Sequence, residues 1–271
     1  MRRALVRAPS PRLAEGLVTH IARSPTVDAE RAVAQWLGYR AALEDAGFAV
    51  TEVAPVPEHP DGVFVEDVLV VVDDLAVVTA PGARERRDEV NGARAAARGL
   101  GLTVVELVDG HPAGGTGAGG AAAEHVHLDG GDVLKVGRTL YVGVGGRTTR
   151  AGATALARIL AETDRRVEVV PISRTLHLKS QVTALPDGTV VGYAPLVDDP
   201  SRWRTFLEVP EPEGAHVVVL DEATVLMSDA APESARLFRD RGLTVMTVDV
   251  SEFVKLEGCV TCLSVRAHPW D

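Results

Sequence analysis

The stretch "DGVFVEDVLVVVDDLAVVTAPGARERRDEVNGARAAARGLGLTVVEL", residues 61–107, decides the fold. It reads as a strand, a tight turn at Asp73-Asp74, a second strand, a helix from about Arg84 to Arg98, and a third strand. Residues 127–172, "HLDGGDVLKVGRTLYVGVGGRTTRAGATALARILAETDRRVEVVPI", repeat that order, with the turn at Gly137-Arg138 and the helix from about Thr149 to Glu162. A third unit opens at "LHLKSQVTALPDGTVVGYAPL", 176–196, and is expected to continue through 201–208 to "HVVVL". A fourth is "TVLMSDAAPESARLFRDRGLTVMTVDV", 224–250, and "RRALVRAP" at the front with "CVTCLSVR" at the back supplies strands for a fifth. A ββαβ theme recurring at roughly fifty residues predicts a radial array rather than a doubly wound sheet.

Composition excludes several classes. The 271 residues include 28 Lys and Arg against 38 Asp and Glu, a net charge of −10, with no basic stripe to follow a phosphate backbone. The longest apolar runs, such as "VLVVV" at 68–72, are far too short to span a bilayer, and no leader-like apolar segment follows the basic N-terminus. A cytoplasmic, soluble protein with a single domain over 1–271 is expected. Two cysteines three residues apart exclude a secreted disulfide framework. The Gly/Ala-rich segment at 110–125 lacks the G-K-[ST] of a phosphate loop and reads as a surface loop.

Polar residues interrupt the apolar runs in matching places. Glu66 and Asp67 sit inside "VFVEDVLVVV", read as strand; Asp129 and Asp132 flank a Gly-Gly pair read as turn chemistry; His177 stands at the entrance of the third unit; Cys259 and Cys262 lie in "LEGCVTC". In a radial array, equivalent strand ends converge on the axis, so acids, an imidazole and a thiol would share one pocket. With "CVTCLSVR" read as strand, the two sulfurs should face opposite ways and neither bridge nor clamp a metal. One thiol should then work, and Cys262, deeper in the strand than Cys259, is the preferred nucleophile. Paired carboxylates match the donor fork of a guanidinium, a thiolate can attack its central carbon, and an imidazole can protonate the departing amine. Arg86 and Arg147 each follow the second strand of their unit and would suit a carboxylate at the far end of the ligand.

In this order, "DGVFVEDVLVV", "LDGGDV", "GRTTRAGA", "LHLKS" and "EGCVTCLSV" resemble the dimethylarginine dimethylaminohydrolase family, guanidino-group-modifying enzymes with the pentein fold, an α/β five-bladed ββαβ propeller with a central active site. The resemblance covers essentially the whole chain. It implies Cys262 as nucleophile, His177 as general acid and base, and Asp129 orienting that histidine. It implies Asp67 and Glu66 holding the substrate guanidinium, Asp61 helping to place it, and Arg86 and Arg147 gripping its α-carboxylate. The backbone at Leu256 would line the site, and a lid near Leu17 and Val18 would close over it. The implied reaction forms a covalent thiouronium on sulfur and yields citrulline, with no metal and no organic cofactor. The implied partner is a small guanidino amino acid, without nucleic acid or membrane; a homodimer stays open as the assembly. Arginine deiminase, agmatine deiminase and amidino transfer are the neighbouring activities. Outside enzymes, an amino-acid-binding module or a zinc protein using Cys262 and His177 competes. The 113–123 stretch looks like an insertion, and the lid sequence "RLAEGLVTH" departs from the family pattern.

Overall fold

The computed structural model describes residues 2–24, 26–108 and 125–267; the Gly/Ala-rich 113–123 stretch lies outside them. Strand β1 (Arg3–Val6) is followed by helix α1 (Ala29–Asp45) and β2 (Ala49–Glu52). Next come β3 (Leu69–Val72), β4 (Leu75–Val78), α2 (Val90–Gly99) and β5 (Thr103–Glu106). Then follow β6 (Val133–Val136), β7 (Thr139–Val144), α3 (Arg150–Ile159) and β8 (Arg166–Pro171). The next strands are β9 (Val182–Ala184), β10 (Val190–Gly192) and β11 (Phe206–Glu208), with no α-helix among them. The chain closes with β12 (Val217–Val219), β13 (Thr224–Ser228), α4 (Pro232–Asp240), β14 (Thr244–Val248) and β15 (Val265–Ala267).

These strands form five three-stranded sheets, β15-β1-β2, β3-β4-β5, β6-β7-β8, β9-β10-β11 and β12-β13-β14, which we number as blades one to five. Each central strand is antiparallel to one neighbour and parallel to the other, as β4 is to β3 (Val77 opposite Val70) and to β5 (Val77 opposite Val105). The chemistry of the links explains this. A two-residue turn suffices for the antiparallel pair, and Asp73 (φ 55°) and Gly137 (φ 57°) supply the left-handed backbone it needs. A parallel return needs a longer crossover, which the helix provides. Capping fixes two helix starts: the side chain of Asp28 accepts from the Arg31 N–H at 3.0 Å, and that of Thr149 from the Gly152 N–H at 3.0 Å. In blade four, Pro195 and Pro200 lie in two short 3₁₀ turns where the others have a helix.

Five apolar clusters sit between neighbouring blades and close the ring. Leu5 and Val265 meet Val68 and Val78 between blades one and two; Val70 and Val77 meet Val133 and Val142 between two and three. Leu134 and Val170 meet Val182 and Val190, Leu185 and Val191 meet Val217 and Phe238, and Val218 and Leu226 meet Val6 and Trp36. The five-bladed α/β propeller expected from the repeat is thus present.

Three boundaries differ from the sequence reading. Segment 216–220 holds the first strand of blade five rather than the end of blade four, because β12 pairs with β13 (Val218 opposite Leu226). The first turn of the helix expected at 84–98 is 3₁₀ over Arg84–Glu89. "CVTCLSVR" is strand only from Val265; residues 259–262 form a turn, closed by the Cys262 N–H donating to the Cys259 carbonyl at 3.2 Å.

Candidate active site

Four of the blades deliver a chemically active side chain just ahead of their first strand. Asp67 precedes β3, Asp129 precedes β6, His177 precedes β9 and Cys262 precedes β15. All but Asp129 line one narrow cleft, together with Leu17, Asp61, Phe64, Arg86, Arg147, Leu176, Leu256, Glu257 and Gly258. Asp129 lies behind the wall, fully buried, with its Oδ2 3.1 Å from His177 Nε2 and 3.7 Å from an Arg147 nitrogen. Its Oδ1 accepts from the Gly82 N–H at 2.8 Å. The carboxylate therefore fixes the imidazole ring on one side and leaves Nδ1 toward Asp67, 3.8 Å away.

The glycines between Asp129 and Asp132 lie in a 3₁₀ turn, closed by the Asp132 N–H on the Asp129 carbonyl at 3.0 Å, and they also allow close approach. A Cβ on Gly131 would stand 2.6 Å from His177 Nδ1 and 2.7 Å from Asp67 Oδ1, and the Gly131 N–H donates to that oxygen at 3.0 Å. Asp132 supports the same corner from behind: its Oδ1 accepts from the Leu178 N–H at 2.9 Å and its Oδ2 from the Thr148 hydroxyl at 2.6 Å. Burial pushes the Asp132 carboxyl up to about 6, against the opposing pull of His177.

Charge settles the protonation states. Burial alone would neutralise both His177 and Asp67. The carboxylates of Asp67, Asp132 and Asp129 outweigh it and lift the imidazole to about 9. His177, Arg86 and Arg147 likewise outweigh burial at Asp67 and hold it down to about 2. At neutral pH the cleft thus contains a carboxylate beside an imidazolium.

Two expected substrate ligands have other partners. Glu66 was expected to hold the guanidinium from a strand position next to Asp67. The segment Val65–Val68 is instead a 3₁₀ turn, and Glu66 is absent from the cleft wall. Its Oε1 lies 2.5 Å from Lys179 Nζ, and its Oε2 accepts from the Thr261 hydroxyl at 2.9 Å. Arg86 lines the cleft, yet its Nε donates to Glu89 at 3.1 Å, one terminal nitrogen to Asp67, and the other to Glu89 and to the carbonyls of Asp61 and Phe64. Of the five N–H groups of a guanidinium, these contacts leave one on the Asp67 side. Arg147 has no such set, and its side chain is 10% exposed.

The cysteines correct a further expectation. Because residues 259–262 turn, the sulfurs lie on the same side, 3.5 Å apart, rather than on opposite faces. Hydrogen bonding from Cys262 holds the Cys259 thiol well below its ordinary value. The same contact, then burial and the charges of Cys259, Glu66 and Asp67, hold Cys262 well above it. The only group of three potential metal ligands found among the described residues is Asp67, Asp129 and His177. The zinc alternative had invoked Cys262 with His177; Cys262 is not in this group.

The segment expected to act as a lid has a fastening that sequence reasoning missed. Asp61 accepts from the Leu17 N–H at 3.1 Å through both oxygens. The Glu257 carboxylate accepts from the N–H groups of Thr19, His20 and Ile21 in succession. Glu257 itself has φ 62°, a left-handed value uncommon outside glycine. The only sequence cue was a glutamate between the lining Leu256 and Gly258.

The fold and this site define a class: a pentein carrying the cysteine, histidine and carboxylate set of the guanidino-group-modifying enzymes. Comparisons narrow it. The arginine deiminase family model matches residues 111–208. The N(G),N(G)-dimethylarginine dimethylaminohydrolase of Streptomyces coelicolor is 50% identical over 265 residues, 98% of this chain and 96% of that protein. The protein of the same name from Pseudomonas aeruginosa is 29% identical over 266 residues, 97% of this chain and 98% of that one. A solved structure of the Pseudomonas aeruginosa enzyme, a cysteine-to-serine variant with citrulline, superposes with a TM-score of 0.84 at 27% identity, covering 97% of this chain and 98% of its own. A dimethylarginine dimethylaminohydrolase adduct with S-methyl-L-thiocitrulline, a histidine-to-glycine variant, gives a TM-score of 0.83 at 27% identity, covering 98% and 100%. The chain belongs to the dimethylarginine dimethylaminohydrolase family.

Proposed function

We propose that this protein hydrolyses Nω-methylated arginines, asymmetric dimethylarginine and monomethylarginine, to citrulline and dimethylamine or methylamine. One observation carries the reading: a fixed carboxylate (Asp67), an imidazolium (His177) and a thiol (Cys262) line a single cleft. Asp67 receives the substrate guanidinium, and the cation entering beside Cys262 opposes the Cys259 contact, the burial and the negative charges that hold its thiol high, so thiolate forms on binding. The thiolate attacks the guanidinium carbon. His177 donates its proton to the departing amine, leaving a thiouronium on sulfur. The neutral imidazole then takes a proton from water, which attacks the same carbon and releases citrulline. Asp129 holds the ring throughout. Arg147 is the candidate grip for the α-carboxylate, while Arg86 chiefly fixes Asp67. Asp61 and Leu17 form the lid contact, and Leu256 lines the wall. The same reading treats 1–271 as one cytoplasmic catalytic domain; no described helix is long and apolar enough to cross a membrane.

The test is citrulline formation from asymmetric dimethylarginine, monomethylarginine, arginine and agmatine. Methylated arginines should be preferred; a preference for arginine, with ammonia released, would shift the reading to arginine deiminase, the activity for which the matching family model is named. Cys262→Ser should abolish turnover and Cys259→Ser should leave most of it. The reverse pattern would transfer the nucleophile to Cys259.

A further inference from the structure

Cys259 has no part in the reaction just described, yet its sulfur lies 3.5 Å from that of Cys262, and both side chains are buried. The intervening turn is tight, with the Cys262 N–H on the Cys259 carbonyl at 3.2 Å. Four-residue turns of this kind hold their end Cα atoms under about 7 Å, close to the separations of about 4.4–6.8 Å that disulfides span. Van der Waals contact between the sulfurs therefore needs little backbone movement to become a bond. Only Cys262 lines the cleft; Cys259 lies behind it, its sulfur 3.3 Å from the Thr261 hydroxyl.

We propose that Cys259 and Cys262 form a reversible thiol pair that hydrogen peroxide closes to a disulfide, switching the enzyme off and sparing its nucleophile from irreversible oxidation. The functional half rests on the reading of Cys262 as nucleophile. In the first step the Cys262 sulfur attacks one peroxide oxygen, the O–O bond breaks, and a sulfenic acid forms as the thiol proton and the departing hydroxide leave as water. Cys259 thiolate then attacks the sulfenic sulfur, the S–S bond forms, and the second hydroxide departs. With the two thiol protons, both hydroxides become water: the thiols lose two electrons and the peroxide gains them. A dithiol reverses the change by exchange. Without Cys259, the sulfenic acid has no neighbouring thiol and proceeds under further peroxide to sulfinic acid, which a dithiol does not reduce. The arrangement puts the receiving sulfur on the wall of the substrate cleft and the resolving sulfur outside that lining.

The experiment treats the whole protein with hydrogen peroxide, maps the cysteine peptides without reduction, and assays citrulline formation before and after dithiothreitol. The expected result is a Cys259–Cys262 cross-link, lost activity, and recovery with dithiothreitol. Cys259→Ser, active before treatment, should be inactivated without recovery and carry sulfinic acid at Cys262. Sulfinic acid at Cys262 in the wild-type chain with no cross-link, or equal recovery in both proteins, would overturn the proposal. A cross-link that forms while citrulline production persists would uphold the pair and instead remove Cys262 as the nucleophile.

Discussion

On the proposed mechanism, His177 is where opposing effects of one environment make a proton donor. Its burial would normally favour the neutral ring, but three carboxylates surround it and raise it to about 9. The imidazole therefore starts charged at neutral pH, the state that amine expulsion needs. As pH rises through about 9 that proton is lost, so the rate of amine release should fall on the alkaline side, read from the pH profile of kcat. Stability follows the same group. A histidine raised above its unfolded value contributes fully below about 6.5 and loses that contribution as pH climbs through its folded value. Thermal unfolding should show this decline, and His177→Ala should flatten it while lowering turnover by about two to four orders of magnitude. A near-normal rate in the folded variant would make the residue structural. The residue types at the site could be read from the chain, because each interrupts an apolar run at the same place in its blade. Their directions could not. Glu66 follows a 3₁₀ turn instead of strand alternation and faces Lys179, and the cysteines lie in a turn that brings together side chains a strand would separate.

At the scale of elements, the segments after β4 and β7 contribute arginines with different duties. Arg147→Ala should raise KM and largely spare kcat, because a charge-assisted contact worth roughly 1.5–3 kcal/mol is shared by ground and transition states. That is about ten- to a hundredfold in affinity. The same variant should narrow the preference for dimethylarginine over agmatine, which lacks the carboxylate. Arg86→Ala should instead lower kcat and destabilise the fold, since it strands the buried Asp67 and Glu89. Steady-state kinetics beside urea unfolding separate the two outcomes. The lid segment offers another check. Glu257→Ala removes the acceptor for three successive N–H groups, so amide exchange at Thr19, His20 and Ile21 should accelerate by about tenfold or more; unchanged protection would mean the carboxylate does not hold the loop. Periodicity revealed most of the elements but not α1. Its buried Ala32, Trp36, Tyr39 and Leu43 are interleaved with exposed Val33 and Leu37, which blurs the apolar stripe.

In the whole molecule, buried charge accompanies the apolar packing between blades. Lys179 and Glu66 meet beside a larger hollow that Lys179, Thr261 and Arg266 help to line. Burial pushes the Glu66 carboxyl upward and Lys179 opposes it. Breaking such a pair from one side is strongly destabilising, because a charge is left buried without its partner. Lys179→Met should therefore cost about 3–5 kcal/mol in urea unfolding. Adding Glu66→Gln should restore much of the loss by removing the stranded charge. Equal stability of Lys179→Met and the wild type would show that the pair contributes nothing to the ring. The ring itself could be inferred from the recurring ββαβ order, yet the helix-free crossover of blade four, which pairs Val190 with Phe206, and the local hairpin that puts β12 in blade five were not legible from it.

Blade one takes its central strand, β1, from one end of the strand order and its antiparallel neighbour, β15, from the other. On the ribosome β1 emerges before the other described strands and β15 after them. Until β15 arrives, one side of β1 presents unpaired backbone N–H and C=O groups, the kind of open edge to which another strand can add. Cys262 lies just ahead of β15 and so is translated after Asp67, Asp129 and His177. A growing chain can fold the blades bearing its acids and imidazole while its sulfur is still to come. On the proposed mechanism, a product that stops ahead of Cys262 would thus be both inert toward guanidines and prone to association, so the cell should handle it as an aggregation problem rather than as a weak enzyme.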